Sequence, residues 1–264
     1  MSDGAIGIFD SGVGGLTVVH ALLAALPREH LIYLGDTARY PYGTKSAETV
    51  TRYSLENVDF LIARGIKMLV VACNTSTATA LDTLAARYPL PIVGVVAPGA
   101  RAAVESTRSG RIGVVATEAT IASGAYTRAL RALRPDLEIY TRPCPLFVPL
   151  AEEGWVEGAI PASVAETYLA SLTRSGIDTL VLGCTHYPLL KPVIAQVMGP
   201  GVALVDSAEE TAREVAAVLA ARGLARASGQ GSTSFFVTDV PERFIRIGQR
   251  FLGARLESAV RVER

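Results

Sequence analysis

Short apolar runs, most of them rich in β-branched residues, alternate along this chain with longer amphipathic segments. Most of the runs are apolar throughout rather than at every second position. That pattern is typical of strands buried on both faces of a parallel sheet. The repeated β-α-β order therefore predicts an α/β fold. The predicted strands are Ile6–Phe9, Leu31–Leu34, Met68–Ala72, Ile92–Val96, Ile112–Val115, Leu180–Gly183 and Val202–Val205.

The segments between the runs carry signals for the ends of helices. Pro27 ends one segment, and Gly65 ends another at a position suited to a left-handed cap. Ser207 and Glu210 have the spacing of a capping box at the start of a third. The predicted helices are Val13–Leu26, Ala47–Arg64 and Thr211–Arg222.

Two stretches of the first half recur in the second half at similar separations. Ile6–Phe9 resembles Ile112–Val115, and Leu69–Thr75 resembles Leu180–His186. Chance similarity between buried strands is the alternative. We interpret the matches as a duplicated unit, which gives two pseudo-symmetric domains, each a mostly parallel sheet flanked by helices.

The end of the chain does not fit a simple division into two blocks. Arg226–Thr233 is small and polar, Ser234–Thr238 is typical of a strand, and Pro241–Leu252 is typical of a helix. We expect this tail to return to the first domain. The predicted domains are residues 1–97 with 206–264, and residues 98–205.

The composition restricts the partners and the compartment. Lys and Arg together number 25, as do Asp and Glu, so a nucleic acid or an anionic membrane is not expected as the main partner. No apolar stretch reaches the roughly 18 residues of a membrane helix. The N-terminus lacks a signal-peptide pattern, and three cysteines are not a disulfide framework. We therefore expect a cytoplasmic protein with reduced thiols.

Cys73 and Cys184 each follow a predicted buried strand directly. Ligands of open parallel sheets bind at the carboxyl ends of the strands, so packing the two halves face to face would make the thiols confront each other across a cleft. Each cysteine precedes small polar residues that could bind a carboxylate or an amine, namely Asn74 and Thr75 in one half and Thr185 and His186 in the other.

A purely structural or metal-binding role suits the two matched cysteines less well. A lone cysteine is most often a buried small hydrophobe, but here two occur in matched settings. Cys144 has no such counterpart and is expected to be structural. The chain has no CxxC motif, so a zinc site is not expected.

Two opposed thiols suit the inversion of a stereocentre without a cofactor. Such a reaction removes a proton from one face of a carbon and delivers another to the opposite face. A thiol has a pKa of roughly 8.5, which neighbouring groups can lower, so a pair can hold one base and one acid.

Further polar residues could assist near the expected cleft. Asp10 and Ser11 open the glycine-rich turn after the first strand, although this could be a plain tight turn. The loop Arg39–Lys45, in which we expect exposed aromatic residues beside proline and glycine, could close over a small substrate or be an ordinary surface turn. Glu152, beside Glu153, has the solvated turn as its alternative. His186 could tune Cys184 or be a structural histidine.

Five motifs in order resemble those of the glutamate racemases. Each alone is weak to moderate, but five in sequence are highly specific, and they span the chain except for the tail after about Arg222. Ala151 stands where many members of the family have valine, which is a conservative change. The motifs are Ile8–Thr17, Asp36–Gly43, Ala72–Thr75, Cys144–Leu150 and Leu182–Pro188.

The resemblance implies interconversion of L- and D-glutamate without pyridoxal phosphate or a metal, supplying D-glutamate for peptidoglycan, in a cleft between two α/β domains. Cys73 would deprotonate D-glutamate and Cys184 L-glutamate, assisted by Asp10, Glu152 and His186. Homodimers are common in the family. The implied substrate contacts are Asp10, Ser11, Pro41, Tyr42, Gly43, Asn74, Thr75, Thr117, Thr120, Thr185 and His186.

The sequence is compatible with two alternatives. One is a related two-cysteine racemase that acts on aspartate or a hydantoin. The other is a binding protein without chemistry, for which a matched thiol pair would have no use.

Overall fold

The computed structural model describes residues 3–263, in which ten strands form two separate parallel sheets. The strands are β1 Ala5–Asp10, β2 Leu31–Gly35, β3 Ile66–Val71, β4 Ile92–Gly94, β5 Arg111–Ala116, β6 Glu138–Pro143, β7 Thr179–Gly183, β8 Ala203–Val205, β9 Thr233–Val237 and β10 Val260–Arg261.

Eleven α-helices connect and flank these strands within the described residues, together with short 3₁₀ turns at Tyr42–Thr44, Tyr187–Leu190 and Gly253–Arg255. No helix in residues 3–263 has the length and apolarity needed to cross a membrane. The helices are α1 Leu16–Ala25, α2 Ala47–Ile62, α3 Asn74–Arg87, α4 Val96–Ser106, α5 Glu118–Ala122, α6 Ala125–Leu133, α7 Phe147–Glu153, α8 Ala159–Arg174, α9 Lys191–Met198, α10 Ala208–Ala221 and α11 Pro241–Leu252.

The first sheet has the order β10-β9-β2-β1-β3-β4, and the second has the order β6-β5-β7-β8. Buried apolar side chains cover both faces of each sheet. On the first sheet, α1, α10 and α11 cover one face and α2 and α3 the other. The predicted architecture of two α/β domains, each a parallel sheet flanked by helices, is confirmed.

The tail of the chain adds to the first sheet. β9 pairs with β2 in parallel from Thr233 to Val237, and β10 pairs with β9. Helix α11 has the predicted bounds and packs into the same core as α1. The tail thus joins the first sheet, while the division into domains, with boundaries after residues 97 and 205, stays a prediction.

Some predicted element boundaries are wrong. The strand predicted over Ile92–Val96 ends at Gly94, and Val96 is the first residue of α4. Val96 is buried in the same apolar cluster as side chains of β5 and α6. A buried valine satisfies the same hydrophobic requirement in either element, so the apolar run did not reveal where the strand ends.

The expected capping box at Ser207 and Glu210 does not form. Ser207 has helical dihedral angles and its side chain makes no cap bond, while Asp206 accepts the bond from the Ala208 backbone N–H instead. The helix therefore begins at Ala208, three residues before the predicted Thr211.

Strand β6 was not predicted from the sequence. It is an edge strand whose residues are exposed or half-buried, so it has no apolar run to mark it. Helix α1 likewise begins at Leu16 rather than Val13, because the glycine-rich turn continues to Gly15.

Candidate active site

The two cysteines of the matched strands line one cavity between the domains. Cys73 follows β3 and directly precedes α3, and Cys184 follows β7. Both side chains are almost completely buried. The parallel strands bring the polar residues after them to the same cleft, as expected. The cavity is lined by Ser11, Tyr40, Pro41, Tyr42, Gly43, Cys73, Asn74, Thr75, Thr117, Val148, Cys184, Thr185 and His186.

Cys73 caps the N-terminus of α3. The Ser76 backbone N–H donates to its sulfur at 3.5 Å, and the thiol lies 3.7 Å from Ser11 Oγ as a donor. Burial, followed by the charge of Asp10, raises the pKa of the Cys73 thiol to about 11, although the bonds with Ser76 and Ser11 act in the opposite direction. The helix N-terminus thus supplies a donor for the sulfur at the point where its charge would develop.

Asp10 is fully buried at the end of β1 and links the two halves of the site. Its carboxylate accepts from the Gly12 N–H at 2.9 Å and from Thr185 Oγ1 at 3.5 Å. Burial raises the pKa of Asp10, and the nearby His186 partly offsets this. Asp10 does not line the cavity itself but lies directly behind Thr185.

Cys184, His186 and Glu152 form a chain of polar contacts. Cys184 Sγ lies 3.8 Å from His186 Nδ1, and His186 Nε2 lies 3.2 Å from Glu152 Oε1. Burial lowers the pKa of His186, but its bonds with Cys184 and Glu152 outweigh this and raise it to about 10. Burial also opposes the charge of Glu152, yet bonds from His186 and Tyr40 and the charge of Arg243 lower its pKa.

Glu152 rather than Glu153 is the carboxylate that bonds to His186. Both belong to the last turn of α7, but Glu152 is buried against His186 while Glu153 is exposed to solvent. Cys144 is buried in the apolar core of the second domain and does not line the cavity.

Three threonine hydroxyls join the domains at the other side of the cleft. Thr75 Oγ1 lies 3.0 Å from Thr117 Oγ1 and 3.1 Å from Thr120 Oγ1, and the latter two are 2.9 Å apart. Thr117 lines the cavity, whereas Thr120 lies behind it. Asn74 accepts a bond from Tyr126 of the second domain at 2.6 Å.

The loop containing Tyr40, Pro41, Tyr42 and Gly43 forms a wall of the cavity, with a cis bond before the proline. The expectation of exposed aromatic residues is wrong for Tyr42, whose side chain is 1% exposed. Its hydroxyl donates to Asp36 and accepts from Asn57. These bonds attach the loop to α2 and to the residue that follows β2.

Four residues of the site region were not predicted from the sequence. Tyr40 and Val148 line the cavity but belong to motifs in which other residues were singled out. Arg243 bonds to Glu152, and the Phe251 ring contacts His186. Both lie on α11, and no local pattern in the tail links them to motifs about 60 or more residues earlier in the chain.

The sequence matches the family model for Asp/Glu/Hydantoin racemase over residues 6–215. The chain belongs to this racemase family.

Relatives within the racemase family match nearly the whole chain. A glutamate racemase from Geobacter metallireducens is 59% identical over 259 residues, which cover 98% of this chain and 96% of the relative. The crystal structure of glutamate racemase isoform RacE1 from Bacillus anthracis has a TM-score of 0.95 at 39% identity, covering 100% of this chain and 98% of that one. A Francisella tularensis glutamate racemase, crystallised with D-glutamate, has a TM-score of 0.93 at 37% identity, with coverages of 100% and 98%.

Proposed function

We propose that this protein is a glutamate racemase that interconverts L- and D-glutamate without a cofactor, using Cys73 and Cys184 as its two acid/base groups. The observation that carries the proposal is that both thiols line one cavity between the domains. The similarity to relatives named glutamate racemase over nearly their full length supports glutamate as the substrate.

The proton balance of the reaction requires one thiolate and one thiol. The Cys73 thiolate takes the α-proton of D-glutamate, which leaves a carbanion, and the Cys184 thiol then delivers its proton to the opposite face. The product is L-glutamate, and the reverse reaction exchanges the two roles. The cationic ammonium group of the substrate, bound in the cavity, would lower the pKa of the Cys73 thiol from its raised value.

The neighbouring polar groups have distinct proposed roles. His186, held in place by Glu152, orients the Cys184 side chain and interacts with the charge of its thiolate. Asp10, buried behind the cavity wall and bonded to Thr185, is suited to assisting Cys73 and to acting on the substrate ammonium group through its charge rather than by direct contact. Ser11, Asn74, Thr75, Thr117 and Thr185 offer the hydroxyl and amide groups that would bind the two carboxylates, with the loop Pro41–Gly43 closing the cavity.

We further propose that the D-glutamate supplies peptidoglycan synthesis and that the enzyme works in the cytoplasm, where its thiols stay reduced. All three cysteines are free, as this mechanism requires of Cys73 and Cys184. A homodimer is also proposed, from the resemblance alone.

The proposal is tested by α-proton exchange in deuterium oxide, without added cofactor. Wild type is expected to racemise both enantiomers with solvent exchange at the α-carbon. Cys73→Ser and Cys184→Ser are each expected to lose racemisation, while the remaining thiol exchanges the proton of one enantiomer only. Cys144→Ala is the matched control and should retain activity, since its sulfur lies outside the cavity.

Two outcomes would contradict the proposal separately. Absence of exchange by wild type with either enantiomer would remove the racemase function. Undiminished racemisation by both serine variants would retain the function but remove the two-thiol mechanism. Parallel assays with L-aspartate separate glutamate from the alternative substrate of the wider family.

A further inference from the structure

Helix α11 lies beyond residues 6–215, the part of the chain that the family model matches. It belongs to the first domain, because it follows β9 and packs beside α1. Three of its side chains nevertheless contact residues near Cys184 in the second domain: Arg243, Arg250 and Phe251.

Arg243 and His186 hold the carboxylate of Glu152 from two sides. Arg243 Nη2 lies 3.3 Å from Glu152 Oε2, and His186 Nε2 lies 3.2 Å from the other oxygen. The Glu152 side chain is 8% exposed, so this carboxylate has little water to stabilise its charge. The pairing with Arg243 therefore restricts the direction in which the carboxylate faces His186.

Arg250 fixes the backbone of the same residue. Its guanidinium donates to the carbonyl oxygen of Glu152, at the C-terminal end of α7. It also lies directly against Gly154, where a Cβ atom would come within 2.7 Å of the Arg250 guanidinium carbon. A cation at this end of a helix satisfies a free carbonyl and interacts favourably with the helix dipole.

Phe251 limits the ring of His186. The two ring centroids are 5.7 Å apart with the planes at 88°, and Tyr40 lies at 6.1 Å from His186 with its ring tilted. With Glu152 bonded to Nε2, these rings leave Nδ1 facing Cys184 Sγ at 3.8 Å.

We propose that Arg243 and Arg250 of α11 are positioning residues for proton transfer at Cys184, acting through Glu152 and His186. The inference rests on the proposed racemase function. Since α11 makes no contact with Cys73 among those described, its effect falls on one of the two proton transfers. The tail thereby links the first domain to the chemistry of the second.

The experiment measures primary isotope effects on kcat/KM with α-deuterated L-glutamate and α-deuterated D-glutamate. The ratio of kcat/KM in the two directions is fixed by the equilibrium constant, so rates alone cannot show which proton transfer is slowed. Arg243→Gln is expected to lower kcat/KM about fivefold in both directions, near the upper limit for losing one half-exposed ion pair. The isotope effect should rise with L-glutamate, which Cys184 deprotonates, and fall with D-glutamate.

Two variants serve as controls. Arg246→Gln removes a cation from an exposed position of the same helix and should leave the rates and both isotope effects unchanged. Arg243→Lys keeps the charge and should restore most of the lost rate. The combined change Arg243→Gln with Arg250→Gln should enlarge the asymmetry, and melting temperatures show that each variant is folded.

The inference is overturned if Arg243→Gln changes both isotope effects equally or leaves them unchanged, or if Arg246→Gln behaves in the same way. These results differ from failure of the proposed function, in which wild type itself would not racemise glutamate without a cofactor.

Discussion

Gly14 lies beside the site, where the backbone of the first domain closely approaches the second domain. A Cβ atom on this residue would come within 2.3 Å of Thr185 Oγ1 and 2.5 Å of His186 Nδ1, both in the second domain. Its backbone is outside the left-handed region, so space rather than conformation requires glycine here. The absence of a side chain at Gly14 allows Thr185 and His186 to lie directly against its backbone.

Gly14→Ala is expected to reduce kcat/KM by about 100-fold, because displacing His186 or Thr185 by an ångström disturbs the alignment of the reacting groups. The matched control is Gly201→Ala, at a position where a Cβ would meet nothing within 4 Å. Steady-state racemisation of both variants checks this, and activity of Gly14→Ala within twofold of wild type would contradict the close approach.

His186 makes stability depend on pH. Its pKa is raised from 6.5 to about 10 in the folded protein, so the folded state holds its proton more tightly than the unfolded state. The stabilisation is therefore fully present below pH 6.5, and it is lost as the pH rises towards 10. Denaturant unfolding of wild type and His186→Gln should show a stability difference that shrinks between these values, and a difference that grows with pH would refute the raised pKa.

At the scale of elements, the strand that leads to Cys184 is secured at its start by Asp178. This residue precedes β7, and its carboxylate accepts bonds from Thr107 Oγ1 at 2.6 Å and from the backbone N–H groups of Arg108 and Ser109 at 2.8 and 2.6 Å. Burial opposes its charge, but these bonds together hold the pKa of Asp178 below its ordinary value. The carboxylate thus joins the start of β7 to the loop between α4 and β5.

Asp178→Ala is expected to destabilise the protein by about 1–3 kcal/mol, since four donors, with Thr179 Oγ1 as the fourth, lose their acceptor. The reaction itself should change little, because Asp178 lies at the opposite end of β7 from Cys184. Denaturant midpoints measure the first effect and racemisation rates the second. A large loss of activity without loss of stability would show that the residue acts at the site.

The elements differ in how well the sequence predicted them. Buried central strands such as β1, β5 and β7 were placed within one or two residues, because burial on both faces demands a continuous apolar run. Edge strand β6 left no such signal. The start of α10 depended on whether Ser207 or Asp206 supplies the cap. The backbone conformation before the helix decides this, and the sequence pattern does not show it.

At the scale of the whole molecule, a buried ion pair ties the tail to the first domain. Lys67 Nζ lies 2.6 Å from Glu29, and both side chains are 3% exposed. Lys67 also donates to the Leu224 carbonyl at 2.8 Å, and the Arg226 N–H donates to Glu29 at 2.8 Å. The pair lies near the start of β3, about 20 Å along the strand direction from Cys73.

Lys67→Met is expected to destabilise the protein by about 3–5 kcal/mol, because it leaves the buried Glu29 carboxylate without its cation. Racemisation by the folded fraction should be unchanged. The control is Lys191→Met, whose half-exposed pair with Asp206 should contribute less than about 1 kcal/mol. Equal effects of the two substitutions on denaturant unfolding would contradict the importance of burial.

The sequence by itself determined the α/β fold and the positions of Cys73 and Cys184 at the carboxyl ends of strands, because strand burial and chain order are local properties of the pattern. The tertiary structure alone decided that Glu152 and not Glu153 meets His186, that Tyr42 is buried, and that α11 holds the Cys184 side of the site. The first two depend on how each domain folds, since Glu152 and His186 lie on different elements of the second domain and Tyr42 bonds to Asp36 and Asn57 within the first. The contacts of α11 exist only because the two domains pack against each other.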